Sequence, residues 1–309
     1  MFTWRYHVAS LAAVFLALAV GILLGVAVSG KVSDATEALN ADERDRLSQE
    51  LEQTRESADL SDRRREAAEN LVERAYPALI DRRLEEKRFA IVFLGPVQGD
   101  VRSAVERTLA DAGSGRPGRL IALDTPIDVQ ELDEVLVGDE TLATYAEEGD
   151  TFTDLGEALG RELIEQGESP LWGVLSAQLV EERSGTSSLA VDGAVVIRSW
   201  QAPSSDNVDQ AKQARATTTL LDGLVEGLKS GGFPVIGVET LAALGEESQV
   251  DLYRQQGISS VDNVDTLAGR LALAVLLAGG QPGHYGLKDS ATDGVTPPIE
   301  PLPVEGSGG

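Results

Sequence analysis

The sequence contains no cysteine, and its only methionine is Met1. Disulfides, thiolate metal sites and cysteine nucleophiles are therefore excluded. Histidine occurs only at His7 and His284. A metal site that needs soft or imidazole ligands finds few in one chain, and the metal-binding residues stay unknown. Aromatic residues make up 5% of the 309, so a core built from this chain is mostly aliphatic. Basic charge is also scarce: 26 Lys and Arg stand against 51 Asp and Glu, a net charge of −25. Such a chain repels nucleic-acid phosphates and anionic lipid headgroups, so no nucleic-acid partner is expected. The patterns G-x-S-x-G, H-E-x-x-H and the P-loop Lys-Ser/Thr are all missing. No cofactor is evident, and the chain is expected not to be an enzyme.

What the chain does have is one long apolar run. No charged residue lies between Arg5 and Lys31, and residues 8–29 are almost wholly apolar. About 22 residues rise roughly 33 Å as a helix, enough for a hydrocarbon core of about 30 Å. Val8, Leu11, Val14, Phe15, Leu18, Ile22, Leu23 and Leu24 are the candidate anchor residues, with Trp4 and Tyr6 placed for the headgroup layer. The rival reading is a cleaved signal peptide, since Ala27-Val28-Ser29 resembles a small-residue cleavage site. The length of the run and its continuation in helical register favour a retained single-pass anchor. Arg5 precedes the run, and Lys31, Arg44 and Arg46 follow it; this balance does not fix the orientation.

Residues 31–87 read as a charged helical stalk. Leu47, Leu51, Thr54, Ala58, Ser61, Arg65, Ala68, Val72, Ala75 and Leu79 fall at alternating steps of four and three, a coiled-coil seam with small and polar residues in its middle. Dimerisation along it and a solvated helix are both open readings. Tyr76-Pro77 is expected to kink or interrupt the helix.

From residue 88 to 288 apolar runs alternate with helical patterns. Strands are expected at 89–94, 119–124, 193–200, 234–238 and 258–261. Helices are expected at 100–112, 129–136, 153–166, 171–182, 209–230 and 266–278. The fold class is α/β: an N-terminal transmembrane helix, a coiled-coil-like helix, then a Rossmann-like, mostly parallel sheet of about five strands flanked by helices. Residues 289–309 are rich in Pro and Gly and read as a disordered tail.

Gly95-Pro-Val-Gln-Gly99-Asp100 joins a strand to a helix, where dinucleotide folds cradle phosphate, but it lacks G-x-G-x-x-G and reads as an ordinary turn. Asp100 is a candidate helix cap, and Asp124 a cap or turn former. The acid pairs Asp42-Glu43, Glu147-Glu148 and Glu246-Glu247 are sequence neighbours; on a helix such pairs point about 100° apart and read as solvated surface. One segment stands out. Gly279-Gly-Gln-Pro-Gly283-His284-Tyr285-Gly286-Leu-Lys combines turn glycines with an imidazole and a phenol. Gly283, His284, Tyr285 and Gly286 form either a candidate functional loop or a folded-back tail with Tyr285 plugging the sheet edge.

Two segments together resemble a known family. The opening Arg5-Tyr-His-Val-Ala-Ser-Leu-Ala-Ala-Val-Phe-Leu-Ala-Leu-Ala-Val-Gly-Ile-Leu-Leu-Gly25 is similar to that of the mycobacterial copper transport protein B (MctB) family. The Gly-His-Tyr-Gly-Leu-Lys run with a Pro-rich end is similar to its close. The resemblance implies an actinobacterial cell-envelope protein of copper efflux or tolerance, with its C-terminal domain outside the cytoplasm. It implies copper as the ion and the membrane as a partner. A single span cannot enclose a pore, so copper passage implies a homo-oligomer through span or stalk, or an accessory role. The alternative is a non-enzymatic scaffold of the envelope.

Overall fold

The computed structural model describes the chain apart from residues 1–2, 116, 141, 143–144, 146–150, 187, 242–247 and 301–309; within the first helix, side chains are described for residues 10–26 and from 46 onward. The acid pairs at 42–43, 147–148 and 246–247 therefore lie outside the described side chains. The chain divides into two compact units, Met1–Asn70 and Leu71–Gly309.

The first unit is helical. Helix α1 runs Thr3–Ile80 and continues through Pro77, so the interruption expected there does not occur. Tyr76 and Ile80 are buried beside the proline, and their packing holds the turn that the missing N–H weakens. Leu47, Leu51 and Leu60 are each half-exposed or more in the single chain. The transmembrane span expected over residues 8–29 is not shown. Among the described residues no helix is long and apolar enough to cross a membrane. The described side chains of that run cover only residues 10–26, about 25 Å of helix; Val8 lies outside them. Leu11, Val14, Phe15, Leu18, Ile22, Leu23 and Leu24 are all exposed, Leu23 at 72%.

The second unit is built on one sheet of order β3-β2-β1-β4-β5-β6-β7. Its strands are β1 (Phe89–Leu94), β2 (Arg119–Leu123), β3 (Val180–Gly185), β4 (Gly193–Arg198), β5 (Val235–Val238), β6 (Ser259–Val261) and β7 (His284–Tyr285). All neighbours pair parallel except β2 with β3. The mostly parallel α/β expectation holds, with seven strands in place of about five. The helices are α2 (Gly99–Asp111), α3 (Val129–Gly138), α4 (Thr151–Ile164), α5 (Pro170–Leu179), α6 (Val208–Lys229), α7 (Val250–Gln255) and α8 (Leu267–Leu277). The helix expected over 171–182 stops at Leu179, where the chain turns into β3.

The strands read as continuous apolar runs because both faces are covered. Ala90, Val92 and Leu94 face α3, α4, α5 and α6. Phe89, Ile91 and Phe93 face the end of α1 together with α2 and α8. Fully burying one such side chain contributes about 1.5–3 kcal/mol. Because Tyr76, Ile80 and Leu84 belong to the second layer, the compact unit begins earlier than the boundary expected at residue 88.

Two contacts set the first layer. Helices α4 and α6 meet through Gly156 and Gly160 on one and Gly223 and Gly227 on the other. A Cβ on Gly160 would lie 2.9 Å from the Gly227 Cα, and Cβ atoms on Gly156, Gly223 and Gly227 would strike the carbonyls of Leu220, Thr153 and Glu157. Small residues four apart allow this backbone approach. The second contact is Arg119, whose buried guanidinium donates to the carbonyls of Glu162, Leu163, Glu165 (2.5 Å), Thr186 and Leu189 (2.9 Å). It thereby closes the C-terminus of α4, where carbonyls lack helical partners and a cation is favoured.

Within the tail expected as disordered over 289–309, the described residues 289–300 pack on the domain. Pro297 is buried, Ile299 packs on the second layer, and the Glu300 carbonyl accepts from Arg83 Nη2 at 3.0 Å.

Replacing Gly227 by leucine is expected to lower stability by about 3 kcal/mol, because backbone carbonyls cannot move aside as side chains do. Gly99→Ala meets nothing within 4 Å and is expected to stay within about 0.5 kcal/mol of the parent. Urea unfolding midpoints of the two variants check both values.

Candidate functional site at the carboxyl rim of the sheet

Open α/β sheets bind ligands beyond the carboxyl ends of their strands, where the winding reverses. Here that place lies between β1 and β4, which flank the reversal, and the chain's own atoms fill it. Trp200 N donates to the Leu94 carbonyl at 3.1 Å, and Ser199 Oγ donates to the Pro96 carbonyl at 2.7 Å. Gly95 sits at φ +127°, and a Cβ there would lie 2.8 Å from Trp200 N. The indole is itself buried. The turn at residues 95–100 is thus an ordinary strand-to-helix connection. Asp100 falls in the first turn of α2 rather than at its cap, which is Gln98. The Asp124 N–H pairs with the Leu179 carbonyl, while Asp128 caps α3 through Gln130 and Glu131.

The polar groups of the rim gather instead at β5, β6 and β7. Glu239 and Asp262 each follow a strand directly, and both are buried. Glu239 accepts from Ser248 Oγ at 2.7 Å and from the Gln249 N–H at 2.9 Å. The Lys288 ammonium lies 3.0 Å from Glu239 Oε1, with both side chains at most 8% exposed. Lys288 makes this contact as an ion pair, without a hydrogen bond of good geometry. Asp262 accepts the N–H groups of Leu287 (2.8 Å) and Lys288 (2.9 Å). Burial pushes the Asp262 carboxyl up from its ordinary value; the two backbone donors pull it back. Gly286 makes the approach possible. It lies at φ +153°, and a Cβ would strike the Asp262 carboxylate.

The singled-out segment is therefore brought together with partners that sequence patterning did not single out. Gly283 precedes β7, and its N–H donates to Ser259 Oγ at 3.1 Å. His284 and Tyr285 form the edge strand. Tyr285 is buried, and its hydroxyl donates to the Gln281 carbonyl. His284 Nδ1 lies 3.0 Å from Ser260 Oγ, and the backbone N–H of His284 donates to Asp293 Oδ2. Burial, followed by Arg254, lowers the imidazole's pKa; Asp293 and Asp251 oppose this. The outer edge of β7 is capped in turn, through Asp293 N to His284 O and Gly286 N to Gly294 O. The folded-back arrangement is the one observed. Glu239 and Asp262 were detectable only as acids closing two apolar runs.

Chemically the cluster is a latch. Its carboxylates are buried and satisfied from within. Among the described residues no group of three or more His, Asp or Glu side chains is placed to hold a metal ion. The imidazole of His284 meets Ser260 through Nδ1. Lys288→Met should therefore cost about 3 kcal/mol, since it leaves Glu239 buried without its counter-charge. The pair Glu239→Gln with Lys288→Met should recover more than half of that loss. Denaturant titration of the single and double variants measures the difference.

Against known proteins, no curated protein matches the chain. Residues 1–297 match the family described as copper transport outer membrane protein, MctB. That span takes in the apolar opening, the sheet and the latch, and the chain belongs to this family.

Proposed function

We propose that this protein is a membrane-anchored component of the cell envelope that serves copper efflux or copper tolerance, acting with other chains rather than as a conduit of its own. The observation that carries the reading is the family match across residues 1–297. The exposed apolar side chains of residues 10–26 support the anchor. A helix apolar all round is stable only when covered, and lipid covers it.

The physical form of the rest argues for the accessory role. The sheet is open, with edges at β3 and β7, and helices cover both faces. An outer-membrane barrel is closed and alternates apolar and polar side chains. The described domain holds no cluster of copper donors, and the sequence has no thiol and no methionine beyond Met1. Copper as cargo is then proposed to be held by other chains, or by an assembly of copies through α1. The domain is proposed to face away from the cytoplasm. An envelope scaffold without a copper role is the second reading, favoured by the same shortage of ligands.

Three outcomes are expected. The full chain should partition with membranes, and a variant lacking residues 1–30 should be soluble and folded. Cells lacking the protein should retain more copper and stop growing at lower copper concentration. Membrane fractionation and cellular copper content measure these. Unchanged copper content with a correctly located protein would favour the scaffold.

A further inference from the structure

The last described stretch, residues 286–300, touches two distant parts of the second unit. At one end it is fixed to the carboxyl rim. Leu287 and Lys288 hold Asp262, Lys288 pairs with Glu239, and Ser290 Oγ lies 2.9 Å from Ser248 Oγ. Arg254 Nη2 from α7 donates to the Ser290 carbonyl at 2.8 Å. At the other end it meets the exit of α1. Ile299 joins the layer that contains Leu79, Tyr76 and Ile80, and Arg83 Nη2 donates to the Glu300 carbonyl. Between these ends the stretch forms no helix or strand.

The exit of α1 has few other polar ties. Tyr76 donates its hydroxyl to Asp111 Oδ2 at 2.9 Å, and Arg270 lies over its ring, 5.2 Å from the centroid. The Leu84 N–H donates to the Ala112 carbonyl. The bonds of residues 81–87 are otherwise mostly local turns, and Arg82 and Glu86 sit at positive φ. Residues 76–84 are held mainly by the packing of Tyr76, Ile80 and Leu84 in the second layer, the layer that Ile299 also joins, so their opening is linked to whatever completes that packing.

We propose that residues 286–300 act as a clamp, coupling the buried cluster at the carboxyl rim to the last turns of α1, so that the rim and residues 76–84 open and close as one unit. The clamp is a single covalent stretch pinned at both ends. Loosening the rim end frees the strap, and the freed strap withdraws Ile299 and Glu300 from α1. A change at the rim is thereby felt at the exit of the long helix without unfolding the central strands. The inference stands on geometry alone and does not depend on the copper reading.

Hydrogen exchange of the full chain in detergent tests it, with one mild variant at each end. Arg254→Gln loosens the rim end, and Ile299→Ser loosens the α1 end. Each should raise exchange in residues 76–84 and in residues 286–300 together, by about fivefold or more, as a shared sub-global opening does. Strands 89–94 and 193–198 should keep their protection. If Arg254→Gln raises exchange only around residues 286–291, the two ends are independent and the clamp is wrong. A uniform rise that includes the central strands would also overturn it, because the strap would then open only with the whole fold.

Discussion

Everything in the second unit follows from a sheet that is apolar on both faces. Side chains alternate along a strand, so Phe89, Ile91 and Phe93 need one cover while Ala90, Val92 and Leu94 need another. Two helical layers answer this, and each brings its own problem of closure. On one side α4 and α6 must approach until backbone meets backbone, which only the four glycines allow. On the other side the cover is made partly by the end of α1, a helix that belongs mostly to a different unit. The strap over that layer follows from the same need, because the far edge of the sheet is only the two residues of β7 and must be capped by the chain's return.

The charge pattern fits this frame. Among the described residues most acidic side chains lie on the surface, where such charge repels phosphate. Among the described residues the buried charges are few and sit at the ends of strands: Arg119 opens β2, Arg198 closes β4, and Glu239 and Asp262 follow β5 and β6. Arg119 pins the end of α4, and Glu239, Asp262 and Lys288 pin the return of the chain after β7. Such groups are costly to strand without partners, so they specify one arrangement more than they add net stability. Bringing Asp262 against the backbone of residues 286–288 requires glycine at 286, which gives the Gly-His-Tyr-Gly-Leu-Lys segment a structural meaning.

Five strands were legible because double burial makes a strand a continuous apolar run. Strand β3 was not: Val180-Glu-Glu-Arg-Ser-Gly185 lies on an exposed edge and carries the charges that blunt edges, so nothing in its pattern separates it from the helix before it. Strand β7 is too short for periodicity, and α7, at six residues, is too brief to show a face. At the rim, the glycines around His284 marked the segment as unusual, but its partners lie tens of residues upstream, and tertiary pairing leaves no local trace. The proline-rich end suggested disorder by composition. Pro297 and Ile299 instead find an apolar layer that only the fold assembles.

For a member of a copper transport family, the central claim is that the described domain, which brings together no cluster of metal donors, does not itself hold copper. Copper titration of the purified full chain tests that claim most directly, with Cu(I) and Cu(II) each followed by competition against a chelator of known affinity. Only weak, non-stoichiometric uptake, unaltered by His284→Ala, is expected. One tightly held equivalent per chain that His284→Ala abolishes would contradict it.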